Sequence, residues 1–192
     1  MITRSPGRPR SEEARQAVLG AAVRLIGEDG YGNLTMEAIA RRARVSKQTV
    51  YRWWPTKAAI VLEALNEAAS AIAPAPDSGS LEADVRVFLR RTVAGGRGRN
   101  ARMLAALMAE AQLDRAFARS FRKEFLARRR EVLREILARG RARGEVAATA
   151  DVDFLVELVF GMLWYRILGA HAALDRDFAD QLTDTVLSLA AD

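Results

Sequence analysis

The sequence predicts an all-α protein of about nine helices, and three observations carry that reading. Apolar side chains recur three, four and seven residues apart through most of the chain. No run of any length alternates apolar and polar residues as a half-buried strand requires. Clusters of glycine, proline, serine and arginine interrupt the helical runs at GYGN (30–33), APAPDSGS (73–80), AGGRGRN (94–100) and RGRARGE (139–145).

Residues 1–10 hold two prolines, one glycine and three arginines without periodicity, which predicts a flexible arm. Ser11 precedes Glu12 and Glu13 and opens a first helix. Its inner stripe is Ala14, Val18, Ala21, Ala22, Leu25 and Ile26, and Gly30 ends it. Thr35 caps a short helix over 36–43, Ser46 caps the next, and Thr56 caps a fourth running to about Ala73. Ser80 opens a fifth with Leu81, Val85, Phe88 and Leu89 on one face. A sixth carries Met103, Leu104, Leu107 and Met108. Asp114 begins a long helix with Phe117, Phe121, Phe125, Val132 and Ile136 on one stripe. From Asp151 to about Gly169 apolar residues point in nearly every direction, so that helix needs cover all round. One side can meet its own core and another a second copy of the chain. A last helix, 178–190, presents Leu182, Val186 and Leu189.

Half of the 192 residues are apolar and 7% aromatic, enough for a real core and without the signature of bulk disorder. With no cysteine and one histidine, disulfides, thiolate chemistry and multi-histidine metal sites are excluded. No phosphate-binding loop, dinucleotide glycine pattern or nucleophile elbow is present, so neither a cofactor nor an enzymatic activity is expected. The N-terminus lacks the apolar stretch of a secretion signal. The longest apolar run, 158–165, falls well short of the roughly 20 residues that cross a bilayer. A cytoplasmic location without a membrane partner is the expectation.

The net charge of +6 is unevenly placed. Residues 1–57 hold eleven Lys/Arg against five Asp/Glu, whereas residues 58–192 hold nineteen of each. A basic segment on a neutral body points to a polyanion partner.

Residues 35–54 have the spacing of two short helices crossing steeply, with Ile39, Ala40, Ala43, Val45, Val50 and Trp53 as the apolar or small positions. On a wheel with Val50 inward, Gln48 and Arg52 point out at about 160° and 200°, flanked by Thr49 and Tyr51. Lys47 sits in the first turn, and Trp53 and Trp54 lean inward. The outward residues donate or accept hydrogen bonds and none is acidic, which suits base edges and phosphates of a major groove. Pro55 ends the helix, and Lys57 is expected to hold its ammonium free for a phosphate. Arg44 stands where the turn favours a left-handed residue, at a penalty of about 1 kcal/mol that its charge near DNA would offset. Arg8 and Arg10 suit an arm entering the minor groove.

GRPR followed by GYGNLTMEAIARRARVSKQTVYRWWPTK resembles the N-terminal domain of the TetR/AcrR family of bacterial transcriptional repressors, over about residues 7–65. The resemblance implies a basic arm (1–10), a helix-turn-helix DNA-binding domain (11–57) and a helical ligand-binding and dimerisation domain (58–192). It implies a homodimer on a palindromic double-stranded DNA operator, released by a small apolar or amphipathic effector of unknown identity. Lys47, Gln48, Thr49, Tyr51, Arg52 and Trp53 would face DNA, with Thr35 and Lys57 on phosphates.

Leu104, Leu107, Met108, Phe121, Phe125, Phe160, Leu163 and Trp164 are candidates to line an effector cavity, or are plain core. His171 is either a helix-end residue or a ligand contact. Leu158, Met162, Tyr165, Leu182, Val186 and Leu189 are candidates for the dimer interface. Asp153 and Glu157 are expected on a solvent-facing or arginine-paired stripe, with Arg166 as a partner, and Arg128, Arg129 and Arg130 on a solvated, salt-bridged face. A DNA-binding protein without an effector, or a helical enzyme with a basic lobe, remains as an alternative.

Overall fold

A computed structural model describes residues 11–71 and 75–191. The expected arm with Arg8 and Arg10, and the expected end of the fourth helix at Ala73, lie outside the described residues. All regular structure among them is helical: α1 (Glu12–Asp29), α2 (Met36–Ala43), α3 (Lys47–Trp53), α4 (Lys57–Ala71), α5 (Leu81–Gly95), α6 (Gly98–Leu113), α7 (Arg115–Phe121), α8 (Ala127–Ala142), α9 (Val152–Gly169) and α10 (Arg176–Ala191). A π-helical turn, Arg122–Leu126, joins α7 to α8 without a break, so these two form one continuous helix. The capping residues act as their types require. Ser11, Thr35, Ser46, Ser80, Asp114 and Asp151 each accept a hydrogen bond from a backbone N–H in the first turn that follows.

The chain divides into two compact units, residues 1–64 and 65–192, so the division falls inside α4 rather than at the expected 57/58. The reason lies in the first two turns of α4. Ala58, Ile60, Val61 and Leu62 are buried, and Glu63 pairs with Arg15 of α1 at 2.6 Å. In the first unit Val18, Ala22, Leu25 and Ile26 of α1, Ile39 and Ala40 of α2, and Val50 of α3 are also buried.

In the second unit one core joins α5, α8, α9 and α10 through Val85, Leu89, Leu133, Leu137, Val156, Val159 and Val186. Gly140 lets α8 approach the start of α5: a Cβ there would stand 2.8 Å from Leu81 Cδ1 and 3.2 Å from Val146 Cγ2. Glu145 accepts the free backbone N–H of Leu81 at 2.5 Å. Asp180 of α10 ties down α5, accepting from Arg90 Nε at 2.7 Å.

Three expectations change here. The long helix buries Leu133 where the sequence stripe placed Val132, which is only half-buried. The π turn, in which Ala127 N–H bonds back to Arg122 O, takes up one extra residue and rotates all that follows. Leu182 and Val186, expected on the dimer face, are 5% and 0% exposed within their own chain. The amphipathic stripe of α10 is used up against α5 and α9, leaving Leu189 at its edge, 38% exposed. Arg166 does not pair with the acids of α9. It donates to Ala173 O at 2.6 Å, and its guanidinium lies 3.7 Å over the Phe178 ring. Asp153 pairs instead with Arg134 at 2.7 Å and Glu157 with Arg130 at 3.3 Å.

Candidate nucleic-acid interface and apolar cavity

The turn between α2 and α3 is built by Arg44, which is left-handed at φ 56° and ψ 36°. Val45 N–H bonds to Ala40 O at 3.1 Å across it, the pattern of a helix closed by one left-handed residue. Ser46 then starts α3, its Oγ accepting from Thr49 N–H at 3.2 Å and donating to Thr49 Oγ1 at 2.8 Å. Val50 is fully buried and Trp54 is 3% exposed, so the helix is held along one side and at its end. Trp54 donates its indole N–H to Glu63 at 2.6 Å, and the Trp53 ring meets it edge-on at 5.6 Å.

The opposite side of α3 is open. Lys47, Gln48, Tyr51 and Arg52 are exposed, and Thr49 and Trp53 are half-buried. Arg44 and Thr35 are exposed at the neighbouring helix ends, and the Thr35 hydroxyl accepts from Ala38 N–H at 3.1 Å. The sequence missed an acidic neighbour. Glu37 of α2 reaches this face and takes Lys47 Nζ at 2.5 Å and the Tyr51 hydroxyl at 3.3 Å. The hydrogen bond from Lys47 holds the Glu37 carboxyl below the usual carboxylate range, and Glu37 raises Lys47 in return. The pair also relieves the conflict of a lysine beside a helix N-terminus.

Lys57 corrects the expectation of a free ammonium. Its Nζ donates to the backbone carbonyls of Tyr31 at 3.1 Å and Gly32 at 3.4 Å, and it stands 4.6 Å over the Tyr31 ring. The α1–α2 turn has carbonyls without helical partners, and a cation at the start of α4 satisfies them.

Within the second unit a cavity of about 90 Å³ opens among the later part of α4, α5, α6, the π turn, α8 and α9. Of the residues expected there, Leu104, Phe125, Phe160, Leu163 and Trp164 line it. Leu107, Met108, Phe121 and His171 do not. Leu107 is fully buried in the core, and Met108 is half-buried and accepts a contact from Gln112. Phe121 stacks between Phe117 and Phe125 at 5.8 and 5.6 Å. His171 is exposed, its ring 4.4 Å from that of Tyr165. The sequence missed the polar part of the wall, which is Thr92, Asn100 and Arg129. Asn100 bonds to Gly95 O at 2.9 Å, and Arg129 donates to Thr92 Oγ1 at 3.2 Å.

On α9, Leu155, Val156, Val159, Phe160 and Leu163 are buried, whereas Phe154, Met162, Tyr165 and Leu168 are 56, 42, 63 and 51% exposed. Leu158 is half-buried at the edge of the core. No helix among the described residues is long and apolar enough to cross a membrane.

Residues 18–64 match the family described as bacterial regulatory proteins of the tetR family, and residues 75–186 match its tetracyclin repressor-like C-terminal domain. The chain is 33% identical over 162 residues to the transcriptional regulator YdeS of Bacillus subtilis, covering 84% of this chain and 82% of that one. It is 27% identical to the DNA-binding transcriptional repressor TetR of Mycobacteroides abscessus, covering 93% and 94%. The crystal structure of the TetR family regulator SCO0332 superposes with a TM-score of 0.77 at 34% identity, covering 92% and 98%. An open, capped α3 held by Trp54 in a helix-turn-helix unit, with family matches over both halves, makes the chain a member of the TetR family of DNA-binding transcriptional regulators.

Proposed function

We propose that the chain is a homodimeric repressor that holds a palindromic operator through α3 of each copy and lets go when a small apolar or amphipathic molecule occupies the cavity. The observation that carries the DNA half is the outward row Lys47, Gln48, Tyr51 and Arg52 on a helix fixed by Ser46, Val50 and Trp54. Gln48 is the base-reading side chain in this scheme, while Lys47, Tyr51, Arg52, Thr35 and Arg44 position the backbone. Arg8 and Arg10 add minor-groove contacts. A relative that acts as a repressor supports the direction of control.

Self-association follows from α9. Four large side chains, Phe154, Met162, Tyr165 and Leu168, stand in water along one face, and pairing with a second copy removes that exposed apolar surface. Leu158 and Leu189 join from the edges. Ligand binding favours one spacing of the two recognition helices over another, and release is a population shift away from half-sites about 34–36 Å apart.

Selection of bound sequences from a random DNA pool tests the scheme. The expected product is a palindrome with half-sites one turn apart, and Gln48→Ala changes the selected bases while Tyr51→Ala weakens all sequences alike. Single, non-repeated sites, or sedimentation as 21.1 kDa particles at micromolar concentration, would overturn it.

A further inference from the structure

From Phe117 onward the long helix places every fourth residue on its inner stripe: Phe117, Phe121, Phe125, Leu133 and Leu137 are all buried. The position missing from that series is Arg129. A spacing of four drifts around an ordinary α-helix, and the π turn at Arg122–Leu126 takes up the drift, so Arg129 falls in line with the apolar side chains on either side. Arg129 thereby lines the cavity. Phe125, Leu126 and Arg129 form one wall, facing Leu163, Trp164 and Ile167 of α9.

Arg129 has no acidic partner among the described residues. Its one hydrogen bond goes to the Thr92 hydroxyl at 3.2 Å, out of five donors that a guanidinium carries. Its neighbours in the sequence differ: Arg130 pairs with Glu157 and Arg134 with Asp153. Burial pushes the Arg129 guanidinium below its ordinary value, with no nearby carboxylate to oppose the shift. Arg129 is half-buried, and a cation partly withdrawn from water without a counter-ion is unfavourable, so a bound anion that pairs with it recovers that loss.

We infer that the effector is a compact acid, an apolar body carrying one carboxylate that Arg129 grips with its planar fork while Thr92 steadies the guanidinium. The inference rests on the effector reading of the cavity given above and adds the chemical class. A carboxylate fits the fork with two parallel bonds. Most of the rest of the wall, from Leu104, Phe160 and Trp164, offers apolar contact, and Asn100 is its one other polar side chain among the described residues. At about 90 Å³ the cavity holds several waters' worth of ligand, and it is partly open to solvent.

Calorimetric titration of the full chain with octanoate against octanamide, and with phenylacetate against phenylacetamide, tests this. In at least one pair the acid is expected to bind about tenfold or more tightly than its amide, and Arg129→Gln is expected to erase that preference while leaving the amide unchanged. Equal affinity of acid and amide in both pairs, no binding of either acid, or an acid preference that survives in Arg129→Gln overturns the assignment. A second measurement needs no ligand. Arg129→Met is expected to raise Tm by roughly 2–4 °C, because an uncompensated charge leaves an apolar wall. A lower Tm means that Arg129 is a structural residue and overturns the assignment. Operator release reads the two proposals apart. Acid that binds through Arg129 without releasing DNA sinks effector control and upholds the carboxylate site, whereas release by the amides as readily as by the acids does the reverse.

Discussion

The indole N–H of Trp54 donates to Glu63 at 2.6 Å, and the same carboxylate takes the guanidinium of Arg15 at 2.6 Å. One acid on α4 therefore fixes both the end of α3 and the face of α1. The orientation of α3 depends on a bond made well away from its exposed side.

Trp54→Phe keeps the ring and loses the donor. The expected cost is about 1–3 kcal/mol, because Glu63 stays partly buried with one partner fewer. Urea unfolding followed by circular dichroism measures it. A cost near zero would show that the ring alone anchors α3.

Glu37→Gln removes the only acid hydrogen-bonded to Lys47 and Tyr51 among the described residues. Lys47 then meets a phosphate without leaving an ion pair. Tighter DNA binding at low salt is expected, with a salt slope steeper by about 1, read by anisotropy titration between 50 and 200 mM salt. A weaker complex would mean that Glu37 orients Lys47 for DNA rather than restraining it.

Lys57→Met separates two roles for one ammonium. Loss of the Tyr31 and Gly32 carbonyl contacts and of the Tyr31 ring is expected to cost about 1–2 kcal/mol of stability. A phosphate contact alone would leave stability intact and flatten the salt slope by about 1.

Asp180 gives the fold an acid limb. The hydrogen bond from Arg90 holds its carboxyl below the ordinary range. A depressed carboxylate contributes stability that is present above the unfolded value of about 3.9 and fades as pH falls through the lower folded value. The Tm gap between the native chain and Asp180→Asn is therefore expected to be open at pH 6 and to close below about pH 4 in a thermal scan. A gap independent of pH would place the effect of the substitution in packing.

The first unit was largely legible from the sequence, because its signals are local. Caps at Ser11, Thr35 and Ser46, a left-handed Arg44 and inward Val50 follow from residue type and spacing within a few positions. What escaped was set by residues far apart in sequence. Lys57 turns to carbonyls 25 and 26 residues away, and Arg90 and Asp180 meet across 90. Arg129 was hidden by an assumption of regular geometry. Read with the α-helical period it belongs to a charged run on the surface, and only the π turn brings it inward. Its signal was present all the same, as the one charge in a ladder of apolar residues spaced by four.

The added residue in Arg122–Leu126 works as a phase shifter. Straightening it into regular α-helix with every residue kept would turn Leu133 and Leu137 by about 100° and move Arg129 with them, whereas deleting one residue there would remove the bulge and leave all three in their present phase. The lower half of that long rod therefore keeps its inner stripe only because the bulge absorbs the surplus residue, and a chain one residue shorter at this point would reach the same pocket with a plain α-helix.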